Sequence, residues 1–479
     1  MEFTSVAFFV FLALVFAIYW KIARCPLVAQ NILIVLASYI FYGWWDWRFL
    51  FLINITAMWA WASGLVLDKS NNPTVRQLVV VTAVIVNFGI LAMFKYYNFF
   101  CENLATILQA LGFNVGFESL SIVLPVGISF YTFQALGYVI DVFRREIKPT
   151  TNIFAFLAFI IFFPQLVAGP IERASNLLPQ FLRPRRFDYS FAVDGCRQML
   201  WGFFKKMVVA DNCAVVANTL LDSGCTPNGI GIVVGVVMFA FQIYGDFSGY
   251  SDIAIGCAAL FGIRLKQNFS IPYFARNIED FWRRWHISLM TWFRDYLYIP
   301  LGGSRCSVLK CTRNIFIVFS VSGLWHGASW TFVCWGLFHA LLFTCSRFIM
   351  KKDTNGMSAQ GNTPVYVVRR IGMVALTFSL VTIGWTFFRA QTMHEWFIWS
   401  MAVIDLSSWT LPVNIPHELW TAIGAVAVMQ LVEWINRNAS FDFAIQPQNM
   451  FLRRGAYVLI FLLVVFYAPG GASFIYFQF

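Results

Sequence analysis

The chain has 479 residues, of which 59% are hydrophobic and only 12% are charged, and its formal net charge is +11. A soluble domain typically has about 45–50% apolar and about 25% charged residues. The composition therefore excludes an ordinary soluble enzyme and indicates an integral membrane protein with many spans. The positive charge is collected in short loops between apolar segments, which is typical of cytoplasmic loops and argues against a nucleic-acid-binding domain.

Apolar segments long enough to approach the roughly 20 residues of a membrane span occur along the whole chain. These candidates are Ser5–Trp20, Val28–Tyr42, Phe49–Leu65, Leu78–Phe94, Gly127–Val142, Phe191–Ala210, Gly229–Tyr244, Asn314–Leu324, Thr331–Ile349, Ile371–Phe388, Leu419–Ile435 and Tyr457–Tyr467. Asn152–Pro170 is also apolar, but basic loops on both sides predict a re-entrant or in-plane helix. We therefore expect an all-α integral membrane protein with about 11–13 transmembrane or re-entrant helices.

The distribution of Lys and Arg among the loops predicts an orientation. Basic residues follow the first, third and fifth candidate spans, whereas Asp211–Asn228 contains no Lys or Arg. Since cytoplasmic loops are enriched in these residues, we expect the N-terminus to lie outside. The loops predicted to be cytoplasmic are Arg144–Arg145, Arg305–Arg313 and Lys351–Arg370. We find no soluble domain, and predict one multi-span membrane domain over residues 1–479, with a core at about 120–350 and flanking helices at 1–119 and 351–479.

A polar run, Gln242–Asp252, directly follows an apolar segment. It contains Asp246, Ser248, Tyr250 and Asp252 together with two glycines. Because glycine permits a helix to unwind inside a protein, the run fits a re-entrant segment that lines a substrate tunnel. It fits a polar helix end at the membrane interface equally well.

In Phe281–Gly303, arginines alternate with Trp and Tyr, as in an amphipathic interfacial helix. Arg284 and Arg294 are also suited to hold phosphate groups in a bidentate manner. The segment is therefore either a membrane-surface support or the entrance for a phosphate-bearing donor. His286 lies in the same segment and favours a functional role.

The most informative residue is His326, which lies between two apolar arms and is flanked by Gly323 and Gly327. Ionisable groups are rare inside membrane segments, and an imidazole suits general-base chemistry. The alternative is a core histidine that is hydrogen-bonded to backbone, a role for which His339 is the better candidate. Cys306 and Cys311 lack a second pair of ligands, so no metal site is predicted.

Several of these runs together resemble the membrane-bound O-acyltransferase family, most closely its bacterial branch of alginate, exopolysaccharide and peptidoglycan O-acetyltransferases. The matching runs are Pro125–Phe130, Phe163–Pro170, Asp246–Gly256, Phe281–Gly303 and Gly323–Ser329. The resemblance implies helices around a central tunnel that opens to both faces of the bacterial inner membrane. It also implies that His326 is the catalytic residue and that His286 is a second functional histidine.

The same resemblance implies a substrate and partners. The donor is expected to be cytoplasmic acetyl-CoA, with no bound cofactor. The acceptor is an extracytoplasmic polysaccharide, reached directly or through a periplasmic SGNH-type acetyltransferase. The residues predicted to bind substrate are Arg284, Arg294, Trp325, Asp246, Ser248, Tyr250 and Asp252.

Two other functions fit the composition. Broken helices and polar residues within the membrane are also found in secondary transporters. An inert scaffold subunit of a glycan secretion complex is the third alternative. The two halves of the chain show no repeat, and the polar residues cluster in one central region, which favours the enzyme.

Overall fold

The computed structural model describes residues 1–113, 116, 118–120, 123–221, 228–349, 364–412, 414–437 and 449–468. Within these ranges the regular structure is entirely helical, which confirms the all-α prediction. The helices form two compact units, one made of residues 1–196 and 254–266 and the other of residues 197–253 and 267–479.

The first unit is built from the N-terminal helices. They are α1 (Val6–Lys21), α2 (Leu27–Asp46), α3 (Phe49–Lys69), α4 (Pro73–Leu91), α5 (Tyr97–Ala110), α6 (Ile128–Phe143), α7 (Ile153–Ile161) and α8 (Ala174–Phe181). Helix α6 is buried along almost its whole length, because α3, α4, α7 and α8 pack around it.

The apolar segment flanked by basic loops is a short buried helix. Helix α7 has nine residues, and the irregular stretch that follows it is also buried. Nine residues rise only about 14 Å, so α7 is too short to cross a bilayer, as the loop charges predict. The side-chain amides of Gln134 and Gln165 both donate to the carbonyl of Phe159, at 2.7 and 2.9 Å. They hold the end of α7 against α6.

The second unit contains most of the remaining helices. They are α9 (Tyr189–Phe203), α10 (Asp211–Leu221), α11 (Gly229–Leu260), α12 (Ile278–Arg284), α13 (Ile287–Phe293), α14 (Val308–His326), α15 (Trp330–Ile349), α16 (Pro364–Arg389), α17 (Met393–Ile404), α18 (Glu418–Asn436) and α19 (Met450–Tyr467). Helix α9 begins and α11 ends within the first unit. A π-helical segment, Phe204–Ala210, connects α9 to α10.

Among the described residues, nine helices are long and apolar enough to cross a membrane. The expected count of about 11–13 also included shorter and re-entrant segments. A multi-pass membrane protein is therefore confirmed. Most of the loop Lys351–Arg370 lies outside the described residues, and the division into a core and flanking helices stays a prediction.

The run Gln242–Asp252 does not break the helix, and it does not lie at a helix end. Helix α11 continues through it for 32 residues, and the run is buried or nearly so along its length. Its glycines serve close helix packing instead of unwinding. A Cβ on Gly249 would lie 2.8 Å from the carbonyl oxygen of Gly202, so only glycine allows the two backbones to approach this closely.

Candidate functional site

His326 is the last residue of α14, and the sequence explains why the helix ends there. Gly327 has an extended backbone, and a Cβ at this position would lie 2.1 Å from the ring of Phe332. Gly323, one turn earlier, lies against α15, where a Cβ would be 2.2 Å from the carbonyl oxygen of Phe332. The two glycines therefore place the imidazole at a helix end that is pressed against α15.

The imidazole of His326 lies in an aromatic cluster. Its ring centroid is 4.8 Å from that of Trp325, 5.1 Å from that of Trp335 and 5.2 Å from that of Phe388. The residue is only 6% exposed. The surroundings restrict the ring to few orientations, as general-base chemistry requires.

His286 precedes α13 and has a left-handed backbone, with φ of 45°, which is uncommon for a residue other than glycine. Its Nδ1 lies 3.1 Å from Oδ1 of Asn268. The same oxygen accepts a hydrogen bond from the Ser288 hydroxyl at 2.8 Å. Because this oxygen acts as an acceptor, Nδ1 carries the proton and Nε2 keeps its lone pair.

Burial lowers the pKa of His286 to about 3, because the charged form loses its hydration. The imidazole is therefore neutral at physiological pH. Its ring also packs nearly perpendicular to that of Phe247, at a centroid distance of 4.6 Å. His286 is thus a fixed, neutral imidazole within the protein.

Trp325 connects the two histidines. Its ring centroid is 4.8 Å from that of His326 and 5.9 Å from that of His286. Residues from α14 and from the turn before α13 therefore meet at one indole. The structure brings together three of the residues predicted from the sequence, whereas their common access to a tunnel stays a prediction.

Asp246 and Asp252 belong to a buried cluster of charges. Nζ of Lys206 lies 2.8 Å from carboxylate oxygens of both Asp246 and Asp211. Nζ of Lys205 lies 2.5 Å from the carboxylate of Asp252. All five side chains are buried. Such a cluster is tolerated only because each charge has a partner of opposite sign.

The lysines of this cluster come from the π-helical segment Phe204–Ala210. A π-helical turn changes the direction of its side chains relative to an α-helix, and such turns are frequent at functional sites. Here, two successive lysines both reach carboxylates of α11. Asp246 and Asp252 thus have partners within the protein, and their predicted contact with a substrate stays a prediction.

The other predicted substrate-binding residues lie in two environments. Ser248 and Tyr250 are buried in α11. Arg284 is bound to Asp280, with its Nε 2.9 Å from the carboxylate, and Arg294 is bound to Asp295 at 2.6 Å. Arg294 is the more exposed of the two, with 61% of its side chain accessible.

The sequence did not identify Asn268, Lys205 or Lys206 as part of the site. The two lysines could have been found from the sequence, because they are adjacent charges inside the apolar candidate span Phe191–Ala210. Charges within a membrane span are costly and usually functional. No feature of the sequence identifies Asn268, since only the folded chain places it beside His286.

His339 is a core residue, as predicted, but its contacts differ from those expected. Among the described residues neither ring nitrogen has a hydrogen-bond partner. The ring packs instead against Trp282 and Trp335, both at 5.0 Å.

In the part of the chain that is described, no group of three or more His, Cys, Asp or Glu side chains could hold a metal ion.

Comparison with known proteins identifies the family to which the chain belongs. The profile of the membrane-bound O-acyltransferase family matches residues 142–383, which include every predicted site residue. The probable alginate O-acetylase AlgI of Pseudomonas putida is 38% identical over 411 residues, covering 85% of this chain and 81% of the relative.

Two further relatives extend the comparison. The peptidoglycan O-acetyltransferase of Helicobacter pylori is 34% identical over 78% of this chain and 73% of its own length. The teichoic acid D-alanyltransferase of Bacillus subtilis is 28% identical over 56% of this chain and 70% of its own length. The names of all three relatives are those of enzymes that transfer acyl groups, so the enzyme prediction is confirmed and the transporter and scaffold alternatives lose their support. The chain belongs to the membrane-bound O-acyltransferase family, and it is an acyltransferase.

Proposed function

We propose that this acyltransferase moves an acetyl group from cytoplasmic acetyl-CoA toward an extracytoplasmic polysaccharide, through a periplasmic SGNH-type partner. The names of the relatives support acetyl transfer, since the two with the higher identities are an alginate O-acetylase and a peptidoglycan O-acetyltransferase. The D-alanyltransferase is less similar and covers a smaller share of the chain.

The main support for the proposal is that two buried imidazoles, those of His286 and His326, lie beside the indole of Trp325. His326 acts as the general base and takes the proton of an acceptor hydroxyl. The hydroxyl oxygen then forms a bond to the thioester carbonyl carbon, the carbon–sulfur bond breaks, and CoA leaves as a thiolate that takes up a proton. The products are an acetyl ester and free CoA.

His286 acts as the second histidine of this site. With Nδ1–H directed to Asn268, Nε2 is the ring atom that accepts a hydrogen bond from a substrate. Arg284 holds the phosphates of the donor at the cytoplasmic entrance, where phosphate groups stay close to water. Arg294, the other arginine that the sequence predicts for this role, lines a separate cavity. Asp246, Ser248, Tyr250 and Asp252 lie on α11, the helix that also carries Phe247 against His286.

Reconstitution with labelled donor tests the proposed reaction. We expect purified protein in liposomes to transfer label from acetyl-CoA to an alginate or peptidoglycan acceptor, with a higher rate when the SGNH-type partner is on the opposite side. A His394→Ala variant serves as a control, because this histidine is exposed and distant in sequence from the site. Transfer from a D-alanyl carrier thioester but not from acetyl-CoA would contradict the proposal.

The orientation is a separate proposal, with the N-terminus outside the bacterial inner membrane. Two predicted cytoplasmic loops each contain an exposed position, Arg144 and Arg305, that can be replaced by cysteine in a cysteine-free background. We expect a membrane-impermeant maleimide to label neither position in intact spheroplasts and to label both after permeabilisation. Labelling of either position before permeabilisation would reject this topology.

A further inference from the structure

A cavity of about 590 Å³ lies between α12, α13, α14 and α15, and it is distinct from the pair of histidines described above. Its volume falls in the range of roughly 300–1,000 Å³ that small-molecule sites occupy. The inner wall is apolar and is formed by Trp282, Val318 and Phe319, all of which are buried. A hydrocarbon chain placed against this wall would be removed from water.

The polar part of the cavity is basic. Three arginines line it, Arg283, Arg294 and Arg347, against one acidic residue, Glu279. Arg283 is bound to Glu279 at 3.0 Å and Arg294 to Asp295 at 2.6 Å, whereas Arg347 has no carboxylate partner among the described residues. The cavity thus combines an apolar wall with an excess of positive charge, which suits an amphiphile with an anionic head.

The cavity does not meet the requirements of the acyl-transfer site. Neither His286 nor His326 lines it. Trp282 lines it and also packs on His339 and Trp335, at 5.0 and 5.7 Å. A reacting thioester must approach its catalytic group to about 3–3.5 Å, and no lining residue is one of these two histidines.

The position of the cavity favours a membrane lipid as its occupant. The helices that form one side of it, α14 and α15, carry exposed apolar residues such as Val321 and Leu341, which are 39% and 53% exposed. Such surfaces face hydrocarbon in a membrane protein. Basic pockets between membrane helices on the cytoplasmic side are known to bind the head groups of anionic lipids.

We propose that this cavity binds one anionic phospholipid, with its phosphate on Arg294 and Arg347 and an acyl chain along Trp282, Val318 and Phe319. The lipid stabilises the packing of Trp282 on the aromatic residues that surround His326, since Trp335 contacts both. This inference does not depend on the acetyl transfer proposed above, because lipid binding is measured without turnover.

Native mass spectrometry of protein released from nanodiscs tests the proposal. In nanodiscs with equal parts of phosphatidylcholine and phosphatidylglycerol, we expect the wild type to retain one phosphatidylglycerol preferentially. The Arg294→Gln/Arg347→Gln double variant should lose it. The Arg305→Gln/Arg313→Gln double variant should keep it, because it removes the same charge from exposed arginines that do not line the cavity.

A second variant tests the apolar wall without changing the charge. Val318→Trp fills the cavity and should also expel the lipid, as long as gel filtration shows a folded protein.

Equal retention of both lipids by the wild type, or unchanged retention in both cavity variants, would overturn the proposal. Displacement of the bound lipid by CoA alone would overturn it too, because it would make the cavity a donor site. If the cavity variants do not fold, the unfolding temperature of the wild type tests the proposal instead. We expect this temperature to be higher in nanodiscs that contain phosphatidylglycerol than in nanodiscs of phosphatidylcholine alone, and equal temperatures would overturn the proposal.

Discussion

Replacing His326 by alanine is expected to abolish acyl transfer while the protein still inserts and folds. Loss of a general base typically costs about 10²–10⁴ in rate. The substitution removes the imidazole but leaves Trp325, Trp335 and Phe388, the aromatic residues that surround it. The measurement is the turnover of labelled donor by purified protein, together with its elution in gel filtration.

The matched control for this variant is His339→Leu. His339 is also buried and belongs to the same aromatic region, but its ring nitrogens make no hydrogen bond within the described residues. We expect its turnover to stay close to that of the wild type. If His339→Leu and His326→Ala lost activity equally, the packing of the aromatic cluster would limit the rate, and His326 would lose its assigned role.

The second large effect is expected at Lys206, in the buried charge cluster. Lys206→Met removes the ammonium group that lies between Asp246 and Asp211, and leaves two buried carboxylates without it. Breaking a buried ion pair from one side typically costs about 3–5 kcal/mol. We expect a correspondingly large fall in the unfolding temperature, measured in detergent. The control is Lys310→Met, at an exposed lysine of α14 that should change little.

The same cluster distinguishes a structural from a substrate-binding role of Asp246. If the carboxylate serves the cluster, then Asp246→Asn should lower stability, and the Lys206→Met/Asp246→Asn double variant should lose less than the sum of the single variants. Additive losses would contradict the observed contact. A fall in turnover at unchanged stability would instead support the predicted contact with substrate.

The sequence by itself determined the class of protein and the position of the central histidine. Low charge and long apolar segments are sufficient for an all-helical membrane protein, because only helices satisfy their backbone hydrogen bonds within a single segment of the chain in lipid. The sequence identified His326 as an ionisable residue between two apolar arms, and α14 ends at it. Basic loops on both sides also identified α7 as a segment that does not span.

Only the tertiary structure decided which residues meet. Gly245 and Gly249 suggested an unwound segment, yet they lie in a continuous helix, since glycine serves close backbone approach as well as flexibility and the sequence does not distinguish the two. The partners of Asp246 and Asp252 come from a π-helical turn about 40 residues earlier, and Asn268 reaches His286 across 18 residues. Such contacts depend on the packing of whole helices, which no local sequence pattern encodes. Membrane insertion, by contrast, depends on the hydropathy of each segment and the charge of each loop, and both follow directly from the local sequence.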